Sequence, residues 1–180
     1  MQFVFWKRAT ILAMSIFFSL GAFSQGEMLT KGETINYINR VVKRAVGYNA
    51  VWIGCGPGKL AEISRASFEA SGDDVVYTMD SKAYDKDRCM ASSKSYKYVF
   101  SPVYIKTVTM KKVEGTSIAY AKISFTNKGL VRFTDKGEKF WSEDVSMYFV
   151  LAEPKNFESL KKALFHLKDL ASAEEDPFGE

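Results

Sequence analysis

SIAYAKISFTNKGLVRFTDKGEKFWSEDVSMYFVLA (117–152), followed by PKNFESLKKALFHLKDLA (154–171), is the stretch that decides the fold. Phe125-Thr126-Asn127-Lys128-Gly129 is echoed by Phe133-Thr134-Asp135-Lys136-Gly137. In each, an apolar segment runs into Asn/Asp-Lys-Gly. The Asn or Asp side chain starts a turn and Gly takes the left-handed position that ends it. The spacing predicts a three-stranded antiparallel meander with strands at 117–125, 130–134 and 139–152. In the last of these Val145, Met147, Phe149 and Leu151 alternate with Asp144, Ser146 and Tyr148, the pattern of a strand with one buried face. Pro154 then opens an amphipathic helix. Phe157, Leu160, Leu164, Leu167 and Ala171 recur at helical spacing, and Lys161, Lys162 and Lys168 are expected to face outward. Residues 173–180 read as a polar tail.

Upstream of the meander the chain reads as helix and then β. Thr30 with Glu33 three residues later forms a capping box, and Ile35, Ile38, Val42 and Ala45 follow at helical spacing. This predicts a helix at 31–46, stopped by Gly47. Strands are expected at 49–54, 59–70 and 74–80. Gly54-Cys55-Gly56-Pro57-Gly58 forms a turn after the first, and Ser71-Gly72-Asp73 divides the next two. Residues 81–95 are polar and aperiodic and read as the longest loop. Strands at 96–100 and 103–112 are separated at Ser101-Pro102, because proline lacks a ladder donor.

The expected class is therefore α+β. A curved antiparallel sheet, or partly open roll, of about seven or eight strands is packed by the C-terminal amphipathic helix, with the N-terminal helix on its flank.

The first 24 residues carry a different message. Lys7 and Arg8 precede an uncharged apolar run from Ala9 to Phe23, and Ala22 and Ser24 place small residues where a signal peptidase reads. The expectation is a signal peptide at 1–24 and a single α+β domain at 25–180. An uncleaved anchor is the competing reading, though the run is shorter than the ~20 residues a spanning helix needs. No stable membrane span is expected after signal removal. The protein is expected to be exported, periplasmic or secreted, which argues against kinases, ATPases and dehydrogenases. About 156 mature residues suffice for a self-sufficient core.

Lys7 and Arg8 supply two of the 25 basic residues. Without them 23 bases face 21 acids, and the formal charge falls from +4 to +2. That near-neutral balance argues against a nucleic-acid partner. Cys55 and Cys89 are the only cysteines. In an oxidising compartment they either pair, closing a loop of about 35 residues worth about 4 kcal/mol, or stay as thiols.

The pattern resembles small secreted proteins of Gram-negative bacteria built on a pleckstrin-homology-like roll. The resemblance rests on ETINYIN (33–39), FSPVYIKTV (100–108), LKKALFHLKDL (160–170) and the terminal DPF (176–178). It implies a bent antiparallel sheet plugged by one helix. It implies no activity and no cofactor, and lipid-phosphate binding does not follow from a shared roll.

Motifs for chemistry are incomplete. Gly54-Cys55-Gly56-Pro57-Gly58-Lys59 approaches a phosphate loop, but Ile53 stands where the first Gly belongs and Leu60 where a hydroxyl must reach Mg²⁺. His166, the sole histidine, lies off the apolar stripe of its helix, and one histidine with two distant cysteines cannot make a zinc site. Asp80, Asp85 and Asp87 lack the frame of a calcium loop. Glu143 and Asp144 are adjacent strand positions and cannot converge as paired carboxylates. A G-x-S-x-G elbow and an H-E-x-x-H pair are absent.

What remains is an aromatic–basic pattern. Tyr84, Tyr96, Tyr98 and Tyr104 interleave with Lys94, Lys97 and Lys106. Such surfaces bind glycans and polyanions through stacking and charge. The residues singled out as a candidate surface are Tyr96, Lys97, Tyr98, Tyr104 and Lys106. The plainer alternative is strand packing with solvated lysines. No catalytic, cofactor-binding or metal-ligating residue is assigned. The expected function is a non-enzymatic exported binding or interaction module of the bacterial cell envelope, with an envelope protein, a glycan or a small ligand as partner. A carrier holding an apolar or lipidic ligand in the roll is the alternative, and an enzyme of unfamiliar type the third reading.

Overall fold

A computed structural model describes residues 29–52, 60–82, 93–126, 131–135, 138–151 and 155–175. The signal-peptide expectation, the Cys55–Cys89 pairing, the Gly-rich turn, Tyr84, Asp85, Asp87 and the terminal DPF fall outside them.

Helix α1 (Lys31–Lys43) starts where the capping box predicts. The Thr30 hydroxyl accepts from the Glu33 backbone N–H at 3.3 Å, and Glu33 Oε2 accepts from the Thr30 backbone N–H at 2.9 Å. The helix ends earlier than its apolar spacing suggests, in a turn leading to Gly47 at φ 88°. That left-handed position favours glycine, and its N–H donates to the Ile63 carbonyl at 2.8 Å.

Nine strands follow among the described residues: β1 (Asn49–Trp52), β2 (Leu60–Ser71), β3 (Asp74–Lys82), β4 (Ser93–Phe100), β5 (Ile105–Lys112), β6 (Ile118–Phe125), β7 (Val131–Asp135), β8 (Glu138–Ser142) and β9 (Asp144–Val150). They form two antiparallel sheets. One has six strands in the order β1-β2-β3-β4-β7-β8, the other three in the order β5-β6-β9. Helix α2 (Asn156–Glu175) is the last described element. The class is thus α+β, with an open pair of sheets, a C-terminal helix and an N-terminal helix.

Three expectations about the strands are corrected. The meander does not form. β6 is the central strand of the small sheet and pairs β5 and β9, so it has no edge left for β7. β7 instead lies between β4 and β8. Only the β7–β8 hairpin survives, with Asp135 opposite Glu138. Second, the long strand at 139–152 is two strands in different sheets. The chain bends at Glu143, where Ser142 Oγ donates to the Asp144 carbonyl at 2.6 Å and accepts from the Asp144 N–H at 3.4 Å. A hydroxyl offering the backbone a local partner allows the ladder to be abandoned there. Third, the long loop is shorter than 81–95: β3 runs to Lys82 and β4 starts at Ser93, with Lys82 opposite Ser93. Cross-strand bonding such as Ser95 Oγ to Asp80 Oδ1 at 2.7 Å extends the pairing through a polar, aperiodic sequence.

One hydrophobic core joins α1, β2 to β7, β9 and α2. Phe100 stands at its junction, 6.4 Å from Phe68 in the same sheet and 5.2 Å edge-on from Phe125 in the other. Just beyond it, a 3₁₀ turn (Pro102–Tyr104) carries the chain between sheets, and α2 packs over that turn. Phe149 stacks on Phe157 at 6.1 Å, docking the last strand on α2. Leu160, Leu164, Leu167 and Ala171 are buried as their spacing predicts. Lys168 is not outward-facing: its Nζ reaches the Ile105 carbonyl at 2.8 Å. The helix also runs through Glu175, into the expected polar tail.

Candidate functional site

The tyrosines of the predicted aromatic–basic surface and its lysines part company on β4. Alternate strand residues point to opposite faces. Tyr98 stands opposite buried Tyr77, and Tyr96 opposite buried Met79, on the inner face of the six-stranded sheet. Lys97 stands opposite Thr78 and is exposed on the outer face. Lys94 shares the tyrosine face. Tyr104 lies in the 3₁₀ turn and Lys106 on β5, in the other sheet. The structure therefore brings Tyr96 and Tyr98 together and leaves Lys97, Tyr104 and Lys106 elsewhere.

What joins Tyr96 and Tyr98 is a group of tyrosines from the second sheet. Tyr120 on β6 stands opposite Tyr148 on β9, with ring centroids 5.5 Å apart. Tyr77 and Tyr98 stack at 6.1 Å with planes 18° apart. The Tyr148 backbone N–H donates to the Tyr77 hydroxyl at 3.2 Å, crossing from one sheet to the other. Five tyrosines thus line the seam between the sheets. Tyr77 is fully buried, and Tyr96, Tyr98, Tyr120 and Tyr148 are partly exposed.

Electrostatics at the seam follow from burial. Desolvation pushes the Tyr148 phenol up to about 12, with Tyr120 and Tyr96 adding to the effect. Burial raises Tyr77 as well, against the lowering effect of its bond to the Tyr148 backbone. Both stay neutral as donors and acceptors at ordinary pH. On the same face as Tyr120, Lys122 pairs with Asp144 at 2.8 Å, and that bond holds the lysine above its ordinary range. The positive charge of Lys122 is therefore compensated.

Ser81, further along β3 on the inner face and opposite Lys94, has a buried hydroxyl with no hydrogen-bond partner among the described residues. Sequence reading found Tyr96 and Tyr98 but not Tyr77, Tyr120 and Tyr148. Each of the latter sits at an ordinary alternating strand position, and only the juxtaposition of sheets gathers them.

The remaining candidates resolve plainly. His166 Nε2 lies 2.7 Å from the Leu29 carbonyl, tying α2 to the segment entering α1. Asp80 is held by Arg65 at 2.8 Å and by Ser95. Asp144 is engaged by Lys122, and Glu143 sits exposed at the bend between β8 and β9. Among the described residues no three His, Cys, Asp or Glu side chains gather where they could hold a metal ion. Among the same residues no helix is long and apolar enough to cross a membrane. The strand ends on either side of the stretches that hold Cys55 and Cys89 lie at one end of the large sheet, with Trp52 opposite Leu60, Glu62 opposite Lys82, and Lys82 opposite Ser93. No protein-family model, curated protein or solved structure matches this chain.

Proposed function

We propose that this chain is an exported, non-enzymatic binding module of the bacterial cell envelope, and that its contact surface is the tyrosine-lined seam, which takes a glycan. The single observation that carries the reading is the gathering of Tyr96, Tyr98, Tyr120 and Tyr148, partly exposed, around buried Tyr77. Tyrosine rings supply broad apolar faces and each ends in a polar hydroxyl, which suits surfaces that are apolar at one end and wet at the other. Sugar rings ask for both. The leader-like order of the first 24 residues supports the envelope address.

Charge favours a neutral saccharide over a polyanion. Lys97 faces away from the seam, Lys122 is neutralised by Asp144, and Lys94 alone among these lysines is left to add charge on the tyrosine face. The carrier alternative asks for an apolar interior cavity. The cavity of about 200 Å³ beside α2 is walled by Lys31, Asp73, Glu174 and Glu175, with Ala171, and lends it no support.

The test is calorimetric titration with neutral oligosaccharides of N-acetylglucosamine and of glucose. Tyr96→Ala is expected to weaken binding about tenfold, the equivalent of one lost aromatic stacking contact. Lys97→Ala is expected to leave it unchanged. Absence of binding by the wild-type protein, or equal losses in both variants, overturns the reading.

A further inference from the structure

Open sheets leave strand edges that pair with another chain unless something blocks them. Several edges here are blocked. Along β5, Lys106, Lys111 and Lys112 are exposed, so two copies meeting there would bring like charges together. On β9, the Tyr77 hydroxyl takes the Tyr148 N–H. On β2, beyond the residues that β1 covers, Asn39 Oδ1 of α1 accepts from the Phe68 N–H at 3.1 Å.

β8 is different. It ends the six-stranded sheet, and among the described residues its ladder partner is β7 alone. Its sequence, Glu138-Lys139-Phe140-Trp141-Ser142, has one acid and one base. Trp141 is 69% exposed and Phe140 48%. Neutral charge and two aromatic side chains on a terminal strand are the features that edge protection removes.

We propose that β8 is a self-association edge, where two copies of this chain pair antiparallel about a two-fold axis through Phe140. The register follows from the strand itself. Phe140 is its central residue, so the two five-residue strands overlap fully only when Phe140 faces Phe140 of the second copy. Glu138 then faces Ser142 of the second copy, and Lys139 faces Trp141. The second pair occurs twice and sets an ammonium beside an indole on the outer face, an attractive arrangement. The central pair is aromatic on aromatic, a favourable cross-strand contact. A two-fold operator closes the assembly, so it stops at two copies and covers both β8 edges. The strands are short and bury less than the ~1,200 Å² of a standard interface, so the dimer is a weak one. Through the register of Phe133, Phe140 shares the inner face of the sheet with Tyr98, but β8 carries none of the seam tyrosines, and the proposal stands without the glycan reading.

The test is sedimentation equilibrium between about 10 µM and about 1 mM, the range in which a weak dimer is populated. Wild-type protein is expected to shift from monomer to dimer. Phe140→Lys and Phe140→Glu, each alone, are expected to stay monomeric, because each sets like charges across the axis. Mixed in equal amounts they are expected to dimerise again. A foreign strand as the true occupant predicts instead that wild-type protein stays monomeric throughout, which overturns the proposal. So does a mixture of folded variants that remains monomeric. Intermolecular NOEs between the Phe140 rings of differently labelled wild-type copies provide a reading that needs no variant, and their absence at a concentration where dimer forms overturns the β8 register.

Discussion

Tyr77 and Tyr148 are joined across the two sheets by a side chain and a backbone: the Tyr148 N–H donates to the Tyr77 hydroxyl at 3.2 Å. Tyr77 is fully buried, and among the described residues β9 has its ladder partners on one side only. Removing the hydroxyl leaves a part-buried N–H without its acceptor. Tyr77→Phe is therefore expected to destabilise the protein by about 1–3 kcal/mol. Tyr148→Phe keeps that bond and is expected to change stability less. Urea unfolding of both variants decides it, and equal losses mean the inter-sheet bond is unimportant.

The same pair makes stability depend on alkaline pH. In the folded protein the Tyr148 phenol stays protonated up to about 12, whereas an unfolded tyrosine releases its proton near about 10. A raised folded pKa contributes stability that is fully present below the unfolded value and is lost as pH rises through the folded one. Thermal midpoints are thus expected to fall between about pH 10 and about pH 12, and Tyr148→Phe is expected to flatten that fall. A variant profile that superimposes on wild type sinks the assignment.

Ser81 offers a change in the opposite direction. Its buried hydroxyl has no partner among the described residues. A buried polar group without a bond is unfavourable, and replacing it with an apolar group of similar size relieves that. Ser81→Ala is expected to raise stability by about 1 kcal/mol. A loss of stability in chemical unfolding means the hydroxyl is bonded in solution.

Helix α2 separates apolar from polar contributions. Leu164 is fully buried, and Leu164→Ala is expected to cost about 2–5 kcal/mol. Lys168 is part-buried and bonds the Ile105 carbonyl, so Lys168→Met is expected to cost about 1 kcal/mol. Lys162 is exposed, and Lys162→Met is expected to stay within about 0.5 kcal/mol. Denaturant melts that rank Lys168 with Lys162 mean that the carbonyl contact does not form in solution.

Helix α1 depends on its start. Thr30 caps Glu33 and is capped by it, and that contact lowers the Glu33 pKa. The contribution is present above the ordinary carboxylate range and is lost as pH falls through the lowered folded value. Thr30→Ala is expected to cost about 1 kcal/mol near neutrality. The gap between variant and wild type is expected to narrow in acid, read by thermal melts across the carboxylate range. A gap independent of pH shows that the Glu33 carboxylate takes no part.

What the sequence determined by itself was local. Thr30 and Glu33 announced a helix start because a capping box needs only two residues three apart. Gly72, at φ 65°, divided β2 from β3 because a tight turn needs a left-handed residue. The alternation through Val145, Met147 and Phe149, and the spacing of Leu160, Leu164 and Leu167, told which side of each element is buried. Each signal arises within a few residues, from backbone geometry and the period of the element.

Tertiary structure decided the partners. Alternation says that β6 has a buried face, but β5 and β9 can occupy its edges as readily as β7 can. The choice depends on contacts distant in sequence, such as Phe100 against Phe125. The same distance hid the tyrosine seam. Tyr77 and Tyr148 are 71 residues apart, and neither strand carries a sign of the other. Lys168 shows the limit on a helix: spacing placed it facing outward, but the arrival of the Ile105 carbonyl turned it inward. Periodicity orients a residue about its own axis, whereas the packing of elements remote in the chain determines what that residue meets.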